Sequence, residues 1–563
     1  MMLLKVLFCI AVSFGVVSSR MVSSVVHSSE IGGPTVIMED SKSRISSGEY
    51  NKLRSALFKH EQKRSFGSSI ELNEREKKAN EILMAAKNEE LTIGFETPYK
   101  FNPSRHFFES FDNISSSNLF KMIEMMPKGA VLHAHDTALC STDFLISLTY
   151  WDDLWMCYDE KMDQMAFRFS KKQPTKMPDF PENMNCKWRK VPDERKSKGA
   201  KLFDEDLRKR MSLYPVQQFR DINHVWQVFM GIFATIDGLL MYVPGWEAYY
   251  YNALKEFRAD NVNYFEFRTT LPILYDLEGT KYTEMDTAAI YQKTYQRFKK
   301  DYPDFIGSKL IYAPLRNVDN QTISKYIELA IELKAQYPDF FAGFDLVGQE
   351  DLGRPLIEFV DQLLSMPKDI NFYFHAGETN WNGQSTDENL LDAVLLGTKR
   401  IGHGYALYKH PSVLDVIKER NIAIEVNPIS NQVLLLVADT RNHPCSYLFA
   451  NDYPVVISSD DPSFWKAKPL SHDFYIAFLG IANSHADLRL LKQLALNSLT
   501  YSAMNSAERE LALIQWRAKW DDFIEKIIKN KNFKKVLNSL GNRDVLNSHL
   551  SLLFFLCFFC FRK

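Results

Sequence analysis

Gly129-Ala-Val-Leu-His133-Ala-His135-Asp136 opens a series of short apolar runs that decide how this chain folds. Residues 21 to about 125, before it, lack dense β-branched stretches. From Gly129 onward eight runs recur, at 130–135, 262–268, 309–313, 341–346, 371–375, 400–402, 423–426 and 455–459. Helix-length amphipathic segments such as 324–336 and 390–396 separate them. Strands that alternate with helices in this way predict βαβ units and a parallel sheet. Eight of them predict an α/β fold of the (β/α)8 TIM-barrel type, over 126–147 and 207–535. No 20–50-residue repeat is visible, which argues against a solenoid.

Upstream of the barrel, 43–66 and 72–91 carry helix formers with interspersed charge, as in Asn73-Glu-Arg-Glu-Lys-Lys78. They predict a helical N-terminal extension over 20–125. At the extreme N-terminus the cation Lys5 precedes an apolar run over 6–17 and the small residues Val17-Ser18-Ser19. That pattern is a secretory signal peptide over 1–19, too short to span a bilayer, and it predicts a secreted, extracellular protein. Secretion makes disulfides and glycans available. Asn113, in Asn113-Ile-Ser115, and Asn320, in Asn320-Gln-Thr322, are candidate glycan acceptors. The gap between the first two strands is too long for one crossover, so 148–206 reads as an inserted module. Cys157 and Cys186 bracket much of it and are the natural disulfide pair, with Cys140 and Cys445 as other partners open to either. A loop of that length is stabilised by about 3–4 kcal/mol when closed. From Lys187 to Arg210 there are ten Lys/Arg and five Asp/Glu, read as a solvated surface or a patch for polyanions such as glycosaminoglycans. At the C-terminus, 536–563 is a tail without an assigned role. Its apolar run over 550–561 would reach roughly 18 Å as a helix, well short of a ~30 Å hydrocarbon core.

The 563 residues are 45% hydrophobic and 25% charged, enough for a large core with additions to a main domain. A formal net charge of −2, from 68 Lys+Arg against 70 Asp+Glu, supplies no basic field for nucleic acid. Seven cysteines are too few for a disulfide-scaffolded mini-domain array.

The 13 histidines are informative for where they fall. His133 and His135, two apart on an extended segment, face the same way. His375 ends the fifth run in Phe374-His375-Ala-Gly-Glu378, and His403 follows the sixth in Ile401-Gly402-His403-Gly404. The eighth ends in Ser458-Ser459-Asp460-Asp461-Pro462. All map to the C-terminal mouth, where barrel enzymes place their active sites. Three imidazoles and one carboxylate suit zinc with a position left open for water. The predicted ligands of one Zn2+ per subunit are His133, His135, His375 and Asp460, and zinc would lower the pKa of a water towards neutrality. Glu378 lies close enough to exchange a proton without binding the metal. His403 can orient the attacking water, and Asp461 can act as base or accept a substrate hydrogen bond. No His-Glu-x-x-His helix, Gly-x-Ser-x-Gly elbow or Gly-x-x-x-x-Gly-Lys loop is present. Nor is the His-x-Glu…Pro-Cys-x-x-Cys pattern of the base-editing zinc deaminases.

Taken together, Met126-Pro-Lys-Gly-Ala-Val-Leu-His-Ala-His-Asp136, Phe344-Asp-Leu-Val-Gly-Gln-Glu350, His375-Ala-Gly-Glu378, Arg400-Ile-Gly-His-Gly404, Asn427-Pro-Ile-Ser-Asn431 and Ser458-Ser-Asp-Asp-Pro462 resemble the adenosine deaminases, over roughly residues 30–530. The leader, the helical extension and the disulfide-bearing insertion resemble the extracellular branch, the adenosine deaminase growth factors. The resemblance implies hydrolytic deamination of a purine nucleoside: adenosine, and 2′-deoxyadenosine, to inosine or deoxyinosine plus ammonia. It implies that Glu378 protonates purine N1, that His403 and Asp461 position the nucleophile, and that Asp461 also bonds N7. The Gly348 backbone is implied near N3, Asp136 near the ribose, and Trp226 in the substrate pocket. Asn427 stands where many relatives have cysteine, a position that is not a ligand. Also implied are a homodimer through the N-terminal helices, a cell-surface receptor site on the insertion, and growth-factor activity through adenosine depletion. Two other readings compete: a secreted growth factor or receptor ligand whose barrel is a scaffold, and a barrel amidohydrolase for another purine. The first is opposed by a complete set of catalytic positions. The second is opposed by a proton donor, Glu378, beside a ligand, which suits an aminopurine ring better than an amide.

Overall fold

A computed structural model describes residues 44–174, 184, 186–535 and 537. The leader over 1–19 and the apolar run over 550–561 lie outside the described residues. The chain divides into two compact units, at Gln62 and Lys63. The described part of the first falls on helix Ser47–Arg64, which has no buried side chain.

The second unit is built on parallel strands, β1 (Gly129–Val131), β2 (Val262–Thr269), β3 (Gly307–Tyr312), β4 (Phe341–Phe344), β5 (Asn371–Phe372, then His375–Ala376), β6 (Arg400–His403), β7 (Ala423–Val426) and β8 (Val455–Ile457). They form two curled parallel sheets, β1 to the first piece of β5 and the second piece of β5 to β8. Tyr373 N–H donates to Phe344 O (3.0 Å) and Gly402 N–H to Phe374 O (2.8 Å), so the residues between the two pieces of β5 pair on both sides. At the far edges His135 N–H donates to Asp460 O and Asp460 N–H to His133 O, both at 3.1 Å. The eight runs read from the sequence are these strands. Three are shorter than expected: 130–135 contracts to Gly129–Val131, 341–346 to Phe341–Phe344 and 455–459 to Val455–Ile457. Asp460 adopts φ +58°, a left-handed conformation that no strand continues through, and the histidine segment pairs with it by an isolated bridge instead.

All eight residues of β2 are buried, as parallel strands covered on both faces are. Yet β2 includes Glu266 and Arg268, two apart and therefore on one side of the strand. The helices are amphipathic. Asn320–Gln336 buries Ile323, Ile327, Ala330 and Leu333 at helical spacing, and the Asp319 side chain caps its N-terminus.

The N-terminal extension contains helix Glu74–Glu96, opened by an Asn73/Glu76 capping box. Glu76 accepts from Trp520 Nε1 (2.8 Å) and Lys492 Nζ (2.6 Å), which fastens this helix to Ser506–Lys529 and Leu488–Thr500. Helices Phe107–Ser116 and Asn118–Met125 follow, shorter than the sequence pattern could show. Within 148–206 an antiparallel hairpin, Leu154–Asp159 with Gln164–Phe169, joins a short strand Arg189–Lys190 and helices Val191–Lys198 and Ala200–Arg210. Cys157 and Cys186 form the disulfide, and Cys140 and Cys445 are buried thiols. The hairpin packs so tightly on helix Ile222–Leu240 that a Cβ at Gly238 would lie 1.7 Å from Phe167 O. Of the ten cations between Lys187 and Arg210, Arg189, Arg195, Arg208 and Arg210 are paired with acids, which favours a structural role for them over a free basic patch. No described helix is long and apolar enough to cross a membrane.

Candidate metal and active site

The ends of β1, β5 and β8 bring four of the predicted residues together. Ligand atoms of His133, His135, His375 and Asp460 all lie within 4.8 Å of one another. Asp460 Oδ1 is 3.2 Å from His133 Nε2 and 3.0 Å from His135 Nε2. His133 Nε2 and Asp460 Oδ1 are buried and make no good hydrogen bond. Buried polar atoms are rarely left this way, and a cation among them would satisfy both. The donor set, three imidazole nitrogens and one carboxylate oxygen, fits a four-coordinate zinc ion.

Three of the four ligands are held from behind. His133 Nδ1 donates to Glu425 Oε2 (2.8 Å) and His375 Nδ1 to Asp345 Oδ2 (2.6 Å), which leaves both Nε2 lone pairs for a metal. Ser430 Oγ donates to Asp460 Oδ2 at 2.7 Å. Gly402 makes room for the pair, since a Cβ there would sit 3.0 Å from His133 Cε1 and 3.2 Å from His375 Cα. Beneath the histidines lies a buried ionic network. Arg268 joins Asp345 (2.7 Å) to Glu425 (2.8 Å), and Arg400 joins Glu425 (2.5 Å) to Glu266 (2.6 Å). Three carboxylates against two guanidiniums leave one negative charge in excess under the ligand face, complementary to a cation. Burial alone would raise the Asp345 carboxyl, but His375 and Arg268 outweigh it and hold the group well below the usual range. Glu425 is held down against burial by Arg268 and Arg400 in the same way. Burial lowers His375 to about 3, so its imidazole is neutral and able to donate a lone pair.

Glu378, His403 and Asp461 surround the cluster. The backbone N–H groups of Gly377 and Glu378 both donate to the Glu350 carboxylate, itself fixed by Asn389 Nδ2 (2.7 Å) and Arg316 (3.3 Å). Glu378 Oε1 lies 3.5 Å from His403 Nδ1. Burial, then the charges of Asp460 and Glu350, push the Glu378 carboxyl well above its ordinary range. That is the direction a proton donor needs. His403 is depressed by burial and is neutral. The sequence placed His403 just after the sixth run. It ends β6 instead, with φ +60°, its Nδ1 3.1 Å from Asn431 Nδ2 and its Nε2 3.4 Å from Asn427 Nδ2 and 3.7 Å from Asp460 Oδ2. Asn427 is thus a neighbour of His403 and no part of the donor cluster. Burial and the adjacent Asp460 raise Asp461, whose Oδ1 is buried without a hydrogen-bond partner.

These groups open on a cavity of about 220 Å3 whose walls include His135, Asp136, Trp226, Gly348, His375, Glu378, His403, Asp460 and Asp461. All the residues expected to touch substrate therefore line one space. Asp136 Oδ2 accepts from Tyr291 OH at 2.7 Å, and burial raises its pKa to about 6. Trp226 packs edge-on against Phe229, with ring centroids 5.3 Å apart. The glycan candidates differ: Asn113 is exposed, whereas Asn320 Nδ2 donates to Glu358 O (3.1 Å) and its Oδ1 accepts from Arg354 (3.0 Å).

Residues 6–123 match the profile of the family described as Adenosine/AMP deaminase N-terminal, and residues 200–518 that described as Adenosine deaminase. An adenosine deaminase of Lutzomyia longipalpis is 54% identical over 480 residues, covering 84% of this chain and 93% of the relative. The chain belongs to the adenosine deaminase family. It is of the type with an N-terminal domain, to which adenosine deaminase 2 of Homo sapiens is also similar, 41% identical over 84% of this chain and 93% of that one. It is accordingly an enzyme, a metal-dependent aminohydrolase that deaminates adenosine. Among solved structures, the Arabidopsis N6-mAMP deaminase matches with a TM-score of 0.52 at 16% identity, over 71% of this chain and 99% of that one. At that identity the likeness concerns the fold alone.

Sequence reasoning assigned no role to the residues behind the ligands. Glu425 and Glu266 could have been found as lone acids inside strands that are otherwise apolar, since a buried charge needs a partner. Asp345 and Glu350 stood in the Phe344–Glu350 motif with no spacing rule to reveal what they hold.

Proposed function

We propose that the enzyme is a secreted, zinc-dependent deaminase of extracellular adenosine and 2′-deoxyadenosine, built on a single eight-stranded (β/α)8 barrel. The observation that carries the metal reading is the pair of orphaned buried atoms, His133 Nε2 and Asp460 Oδ1, facing each other among four potential ligands. The Cys157–Cys186 disulfide supports an oxidising, extracellular destination.

In this reading His133, His135, His375 and Asp460 hold one Zn2+, which when bound supplies a water acidified enough to attack near neutral pH. Burial favours the protonated form of Glu378, and its carboxyl gives that proton to N1 as the water oxygen adds to C6. The ring nitrogen then takes up the electron pair displaced from the C6=N1 bond. His403 and Asp461 take a proton from the attacking water, Asp461 also bonding N7. That proton is returned to the exocyclic nitrogen, the C6–N bond breaks, the C6 hydroxyl gives its proton back to the Glu378 carboxylate as the carbonyl forms, and ammonia leaves inosine behind. The Gly348 backbone meets N3, Trp226 covers the pocket and Asp136 faces the ribose. The test is the ultraviolet change on conversion of adenosine to inosine by protein purified from culture medium, before and after chelation and zinc return. Conversion abolished by the chelator and restored by zinc supports the reading; conversion indifferent to both refutes it.

A further inference from the structure

One face of helix Ile222–Leu240 forms a wall of the cavity. Its cavity-lining residues are Trp226, Phe229, Met230, Phe233 and Asp237, spaced by three and four as a single helical face requires. Four are large and apolar; the fifth is an acid. Among the described residues no hydrogen bond or ion pair reaches the Asp237 carboxyl, and the neighbouring charge it feels is that of Asp136. Burial and that neighbour push it up to about 7, a measure of how unfavourable an unpartnered acid is in this stripe. Asp136 has Tyr291 OH on one oxygen; Asp237 has nothing, and its open side is the cavity. A leucine would continue the stripe at lower cost.

In a purine nucleoside C6 and the sugar-bearing N9 lie on opposite sides of the ring system. With the amine at the metal cluster, the sugar extends away from it. Asp237 lines the same cavity as Asp136, the residue that the reading above turns towards the sugar, and lies near enough to feel its charge. We propose that Asp237 is a specificity-determining residue whose carboxyl accepts a hydrogen bond from a sugar hydroxyl of the nucleoside. Together with Asp136 it makes this end of the cavity hostile to a phosphorylated sugar. The proposal rests on the reading above that puts the amine at the four-ligand cluster.

The experiment compares wild type with D237L and D237N on adenosine, on its 2′-, 3′- and 5′-deoxy analogues and on AMP, with melting recorded for each protein. D237L is expected to raise KM for adenosine about tenfold or more, the loss of a hydrogen bond to a charged group, with kcat changed less than about threefold. D237L should melt no lower than wild type, because the apolar stripe becomes continuous; a merely structural acid would give the opposite. One deoxy analogue should be handled alike by wild type and D237L, and D237N should raise turnover of AMP relative to adenosine. Unchanged KM for adenosine in D237L, or equal discrimination by both proteins against every deoxy analogue, overturns the proposal while leaving the general reading intact. A wild-type protein silent with adenosine would sink both.

Discussion

Glu425 is the residue where fold and metal site share one carboxylate, and E425Q separates its two roles. Its Oε2 accepts from His133 Nδ1 and Arg268 Nη2, each at 2.8 Å, and its Oε1 accepts from Arg400 Nε at 2.5 Å. Glutamine keeps the volume but turns one acceptor into an NH2 donor facing a guanidinium or an imidazole N–H. Breaking a buried pair in this way costs about 3–5 kcal/mol, moderated here because Arg268 keeps Asp345 and Arg400 keeps Glu266. Loss of the carboxylate behind a ligating histidine costs about 10–100-fold in metal affinity. The informative control is E266Q, because Glu266 pairs with Arg400 and accepts from Ala503 N–H but touches no histidine. Urea unfolding of zinc-free protein, with zinc competition against a chromophoric chelator, reads both quantities. E425Q should lose stability and zinc affinity; E266Q should lose stability with zinc affinity within about twofold of wild type. Equal zinc affinity in wild type and E425Q, or equal losses of affinity in both variants, would refute the claim that this network tunes the ligand face through Glu425.

Three further outcomes are expected. E378Q should lower kcat by about 100- to 10,000-fold, the usual worth of a general acid, while zinc content and melting stay at wild-type values. G402A should lose zinc and activity together, since its Cβ would press on His133 and His375; crystals showing undisturbed histidines with full zinc would count against this. His472 is packed among Phe107, Phe111 and Phe120, with Nδ1 accepting Lys468 N–H at 2.8 Å, and burial lowers it from 6.5 to about 3. Between those values the unfolded chain binds a proton that the folded chain refuses, so stability falls as pH drops through 6.5 towards 3. From pH 7.5 to 5 the loss is about 2 kcal/mol, and denaturant curves at the two pH values should show H472Q with a correspondingly smaller drop. An identical drop in both proteins would show that His472 is not refusing that proton.

The alternating texture after Gly129 was sufficient to locate every strand of the parallel array, because buried parallel strands are short, continuous and apolar, as in Ala423–Val426. The ligands were legible for a related reason. His133, His135 and Asp460 are polar residues attached to the ends of apolar runs, where nothing in a core requires them. What the sequence concealed is what only tertiary folding creates. Glu425 meets His133 from 292 residues away, and no local spacing relates them. The left-handed backbone at His403 and Asp460 was equally hidden, since neither residue type announces it. Asp237 was visible as an acid on an apolar helix face, but nothing in the sequence places a cavity beside it. The hairpin of the insertion could be bounded by its cysteines, but its close seat on Gly238 depends on a helix that begins only at Ile222.

The central claim is that three imidazoles and one carboxylate grip a single divalent ion that adenosine deamination requires. Elemental analysis and zinc-edge X-ray absorption on protein as purified test it most directly. The account predicts about one zinc per chain, with nitrogen scatterers near 2.0–2.1 Å and oxygen scatterers near 2.0–2.2 Å, and loss of the signal in D460N together with activity. Protein free of metal that still converts adenosine at full rate, or zinc retained undiminished in D460N, would contradict it.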